Sequence, residues 1–85
     1  MNDIQQDILS VIERNSHRGN RVKGIKGCFL GKNLYIVYCM QHKTEEVHEE
    51  FHTAIDALIE DGVLAEIVTE SLNGEIEFTY VHRPV

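Results

Sequence analysis

Val47, Phe51, Ala54, Ile55 and Leu58 follow one another at steps of four, three, one and three residues. Those steps put all five on one side of an α-helix. Thr44 stands where an N-cap belongs, and Glu45 and Glu46 suit the positive end of a helix dipole. Gly62 supplies a stop. The segment 44–61 is therefore predicted to be a helix with one buried stripe. Its outer face carries Glu45, Glu49, Asp56 and Glu60. A chain of 85 residues has room for one core, so the remaining apolar residues must gather on that stripe.

A second helical pattern, Ile4, Ile8, Val11 and Ile12, predicts a helix over 3–15, capped by Asn2 or Asp3. A polar break follows from Asn15 to Asn20. Gly24, Gly27 and Gly31 make a poor helix, at about 1 kcal/mol per glycine. The run Leu34-Tyr35-Ile36-Val37-Tyr38-Cys39 is rich in β-branched and aromatic residues. We read a hairpin here: a strand near 21–30, a turn at Gly31-Lys32-Asn33, and a strand over 34–40. A short helix over 24–31 is the competing reading. A second hairpin is predicted over 63–80. Val63 to Thr69 alternates, Ser71-Leu72-Asn73-Gly74 is a turn signal, and Ile76, Phe78 and Tyr80 alternate with Glu75, Glu77 and Thr79. The order helix, hairpin, helix, hairpin makes residues 1–85 a single small α+β domain with two main helices and two hairpins.

The longest apolar run has seven residues, 34–40, against the roughly 18 that a membrane span needs. The acidic N-terminus does not suit a signal peptide, so a cytoplasmic protein without membrane contact is expected. Cys28 and Cys39 are too few for a disulfide framework and are expected to be buried, reduced thiols.

Charge is segregated. Residues 14–43 carry Arg14, Arg18, Arg21, Lys23, Lys26, Lys32 and Lys43 and no acid, while residues 44–82 carry eleven acids and no Lys or Arg. The net charge of −6 therefore covers two opposed fields. Arg14, Arg18, Arg21, Lys23, Lys26 and Lys32 are candidates to bind nucleic acid or an anionic partner, with Phe29, Tyr35 or Tyr38 stacking on bases. Glu45, Glu49, Asp56 and Glu60 are candidates for a basic protein surface. The basic block could equally pair with the acidic helix, within the molecule or in a second copy, which leaves a homodimer open.

Cys39-x-x-His42 and His48-x-x-x-His52 place four metal-capable residues in 14 positions. His48-Glu49-Glu50-Phe51-His52 also spells the zinc-protease helix by letter. The spacing between the two pairs is cramped and no third protease ligand stands out. No metal site, no cofactor and no catalytic residue is assigned, and zinc is not expected to be needed for folding.

The stretch Ala54-Ile55-Asp56-Ala57-Leu58-Ile59-Glu60-Asp61-Gly62-Val63-Leu64, followed by the Asn73-Gly74 hairpin, resembles the recognition helix and wing of winged helix-turn-helix domains. The resemblance covers mainly 44–82, and the first helix fits it. The family's short second helix is the part these residues do not supply, since 34–43 reads as a strand. The resemblance implies a transcriptional regulator. However, a recognition helix bearing Glu45, Glu49, Asp56 and Glu60 would meet phosphates at one charge per about 1.7 Å of duplex. The expected function is therefore non-enzymatic, regulatory binding of protein. The alternative is a nucleic-acid-binding regulator using 14–43.

Overall fold

Helix α1 (Asp3–Arg14) begins at a reciprocal cap. The Asn2 side chain accepts from the Gln5 amide at 2.8 Å, and the Gln5 side chain accepts from the Asn2 amide at 2.9 Å. The helix buries Ile8, Leu9, Val11 and Ile12. In this computed structural model residues 1–42 and 47–84 are described. Buried Asn15 closes α1: its amide donates to the Val11 carbonyl at 2.8 Å, and its side-chain oxygen accepts from Gln41 at 3.3 Å.

A single 3-10 turn (Ser16–Arg18) leads into strands β1 (Asn20–Val22) and β2 (Ile25–Leu30). Val22 pairs with Ile25, so the loop is the two residues Lys23 and Gly24, both at positive φ (50° and 81°). Two positive φ values in a two-residue loop give the turn whose twist matches a hairpin. The register shifts by one residue between the Val22 and Asn20 pairs. Gly27, at φ 73°, takes up the extra residue as a bulge.

The next segment corrects the sequence reading. Residues 31–42 form helix α2 (Gly31–His42), not a turn and a strand. Residues 24–31 are correspondingly mostly strand β2, so the short helix considered there is also absent. Leu34 and Tyr38, one helical turn apart, are buried in the core, and Tyr35, Val37 and Cys39 pack against it. Tertiary burial on several sides overrides the β-propensity of this run. Among the described residues the fold thus has three α-helices rather than two.

Helix α3 (His48–Glu60) buries Phe51, Ala54, Ile55 and Leu58, the stripe expected from the spacing. The expected cap at Thr44 and the acids Glu45 and Glu46 lie outside the described residues, as does Lys43. Gly62 ends the helix: its N–H donates to the Ile59 carbonyl at 3.0 Å, and the Val63 N–H donates to that of Leu58 at 2.9 Å.

Strands β3 (Ala65–Glu70) and β4 (Glu77–His82) form the second hairpin. All strands are antiparallel in the order β1-β2-β4-β3, with Phe29 opposite Val81 and Leu30 opposite Tyr80. Phe51, Ile55 and Leu58 share one core with Ile8, Val11, Ile12, Leu34, Leu64 and Val81. Cys28 is buried and Cys39 half-buried, both as free thiols. No described helix is long and apolar enough to cross a membrane.

Candidate functional site

Burying Phe51, Ala54, Ile55 and Leu58 turns the opposite side of α3 to solvent. Glu49, Thr53, Asp56 and Glu60 recur there at steps of four, three and four and form one exposed line. Glu50 is exposed beside it. The second hairpin continues the same sign. Glu66, Glu70, Glu75 and Glu77 are all exposed, and Glu70 lies directly opposite Glu77 in the ladder. Among the described residues the ion pair of a Lys or Arg is Arg83 with Glu13, and His42 Nδ1 stands 4.0 Å from an Asp7 carboxylate oxygen. No described cation pairs with the acids of α3 or of this hairpin. The internal pairing of basic block with acidic helix that the sequence left open is therefore not found among these residues.

The six cationic candidates are exposed but spread over several elements. Arg14 ends α1, where its Nε donates to the Ser10 carbonyl at 3.4 Å. Arg18 lies in the 3-10 turn. Arg21 and Lys26 point to the face of the first hairpin opposite Val22, which is buried. Lys23 occupies its tip and donates from Nζ to the Val68 carbonyl of β3 at 3.4 Å. Lys32 stands apart, in the first turn of α2. The expected stacking partners are not all available. Phe29 and Tyr38 are core residues, and Tyr35 is only half-exposed.

A feature that sequence reasoning missed lies between the starts of α2 and α3. Gly31, Lys32, Tyr35 and Ile36 from α2 and His48 and His52 from α3 line a mainly apolar groove of about 430 Å³. The ring centroids of Tyr35 and His48 are 4.2 Å apart, and those of His48 and His52 are 4.7 Å apart. Behind them Phe51 meets the Tyr35 ring at 5.1 Å and the Tyr38 ring at 5.3 Å. The i, i+4 spacing of His48 and His52 was visible in the sequence. Its opposing wall was not, because that wall exists only if 31–42 is helical.

The four metal-capable residues are not brought to one point. His42 stacks near Tyr38 at 4.8 Å and stands beside Asp7, while His48 and His52 face the groove. Among the described residues no three His, Cys, Asp or Glu side chains stand close enough to hold a metal ion. Burial raises the pKa of the Cys28 thiol, with a hydrogen bond to the Val22 backbone opposing the shift. That keeps Cys28 protonated and a poor nucleophile. Burial also raises the Tyr38 phenol, and the nearby Asp7 and Cys39 add to the effect.

Comparison with protein-family models, with curated proteins and with solved structures returned no match.

Proposed function

We propose that this domain is a winged-helix-like regulatory module that binds a basic protein surface through α3 and the second hairpin and carries out no catalysis. The observation that carries this reading is the exposed line Glu49, Asp56 and Glu60 on α3, with Glu66, Glu70 and Glu77 exposed on the second hairpin and no described cation pairing any of them. Solvated acids on this scale repel phosphate and attract Lys- and Arg-bearing surfaces, raising the on-rate above all. The element order supports the winged-helix assignment. A helix of 12 residues, α2, precedes the helix of the acidic line, and a two-stranded ribbon follows it.

One observation favours a second reading. Arg21, Lys23 and Lys26 share a single short hairpin at the sheet edge, a compact cationic tip that suits nucleic acid or another anionic partner. A duplex titration at about 50 and 200 mM salt separates the two readings. The native protein is expected to bind weakly at both. A Glu49→Lys, Asp56→Lys, Glu60→Lys variant is expected to gain salt-sensitive duplex affinity. Tight native binding that is lost in Arg21→Gln, Lys23→Gln, Lys26→Gln would establish the nucleic-acid reading in place of ours. Tight native binding abolished by the α3 reversal would make the acidic helix itself a DNA reader.

A further inference from the structure

Charge alone does not account for the groove between α2 and α3. From Leu34 to Met40 helix α2 is apolar on every side, a pattern typical of a helix covered all round. Yet Ile36 is 45% and Met40 73% exposed, and Ile36 forms part of the groove wall. The α3 wall is the stacked pair His48 and His52, and the Tyr35 ring of α2 packs against His48 between the two walls. Its volume lies within the roughly 300–1,000 Å³ of ligand-holding clefts. Ring-lined walls with few polar atoms suit an aromatic side chain, packed edge-to-face or offset.

The rim says what carries that side chain. Lys32 stands on the α2 lip. On α3, Asp56 lies one turn beyond His52, and Glu49 stands on the exposed face between this groove and the cleft that α3 forms with α1. The acidic line then runs to Glu60, roughly 16 Å from Glu49 at 1.5 Å per residue. A ligand that fills the groove and meets the whole line must be a chain segment, not a small molecule.

We infer that this groove is the anchor pocket of the partner surface: it takes one aromatic side chain from a basic segment whose Lys or Arg residues lie along Glu49, Asp56 and Glu60. The inference rests on the proposed binding of a basic protein and adds to it the residue that gives the contact its specificity. Lys32 fixes the direction of docking, since it repels cations placed on the α2 side of the anchor. The aromatic anchor slows dissociation, and the acidic line speeds association.

The chain contains no tryptophan, so an indole brought by a probe is seen without background. Three peptides serve as probes: a lysine-rich peptide with one central Trp, the same peptide with Ala in its place, and the Trp peptide with every Lys replaced by Glu. The Trp–Lys peptide is expected to bind about tenfold tighter than the Ala–Lys peptide, with blue-shifted emission. The Trp–Glu peptide is expected not to bind. The neutral groove variant Ile36→Ser is expected to narrow the gap between the Trp–Lys and Ala–Lys affinities, with His52→Ala as a second groove variant. Glu49→Lys, Asp56→Lys, Glu60→Lys is expected to weaken both lysine peptides. Circular dichroism establishes that each variant is folded. Equal binding of the two lysine peptides overturns the anchor pocket and leaves the basic-partner reading standing. Failure of both lysine peptides to bind overturns both. Binding of Trp–Glu as tight as Trp–Lys separates the groove from the acidic line and also overturns the inference.

Discussion

A Cβ placed on Gly19 would lie 2.6 Å from the Cα of Gly27 and 2.7 Å from its carbonyl carbon. The two backbones touch where the 3-10 turn runs into β1 and where β2 bulges. Both residues must be glycine, for different reasons. Gly19 has no room for a methyl group against the backbone, whereas Gly27 has room but sits at φ 73°. Gly19→Ala is expected to cost about 1–3 kcal/mol through overpacking. Gly27→Ala is expected to cost about 1–2 kcal/mol through backbone strain. Gly31, with nothing within 4 Å of its Cβ position, is the matched control and should change little on Gly31→Ala. Urea melts of the three variants check the ranking; equal losses would show that the close approach has no energetic weight.

Leu58 is 1% exposed and belongs to the core shared by α1, α2 and α3. Leu58→Ala is expected to cost about 2–5 kcal/mol. The contrast is Met40 on the uncovered side of α2, where Met40→Ala should stay within about 0.5 kcal/mol. Denaturant midpoints measure both, and a loss under about 1 kcal/mol for Leu58→Ala would mean that the α3 stripe is not the core.

Stability is expected to fall in alkali. Cys28 and Tyr38 both have raised pKa values in the fold, so the folded chain holds protons that the unfolded chain releases. Their contribution is complete below the ordinary thiol value of 9.0 and declines as pH climbs through it, with a second decline above the phenol value of 10.0. Melts from pH 7 to 11 read this directly, and Cys28→Ala is expected to remove the first decline. A thiol reagent at neutral pH is expected to modify half-buried Cys39 in the native protein and Cys28 only on unfolding.

Glu70 and Glu77 face each other across the second hairpin, with Glu75 close by in sequence. Like charges directly opposite weaken a ladder, so Glu77→Lys is expected to stabilise the hairpin by about 0.2–1 kcal/mol. The gain should shrink at high salt because both side chains are exposed. Thermal melts at low and high salt test it; no gain at low salt would mean that the twist of the ribbon keeps the carboxylates apart.

Elements with a one-sided pattern were legible in the sequence. The steps from Ile4 to Ile12 and from Val47 to Leu58 mark helices with one buried side, and Asn73-Gly74 marks a hairpin. The 3.6 period likewise put Glu49, Asp56 and Glu60 on one face. Helix α2 was not legible because its seven-residue apolar run, Leu34 to Met40, goes all the way round: Leu34 and Tyr38 are core, while Ile36 and Met40 are exposed. Without a contrast there is no period, and β-propensity took over. The first hairpin was misplaced for a related reason. Its turn uses Lys23 at positive φ, a role usually taken by Asn, Asp or Gly, so Gly31-Lys32-Asn33 looked like the better turn. The groove was lost along with α2.

The strand order β1-β2-β4-β3 also sets a timetable for synthesis. Among the described strands β4 is made after the other three, and it fills the gap between β2 and β3. Until Tyr80, Val81 and His82 leave the ribosome, β2 and β3 each present a bare edge, and Phe29 lacks Val81 across from it. A chain cut short before Glu77 is expected to leave β2 and β3 without their shared partner, with open strand edges prone to pair with neighbours.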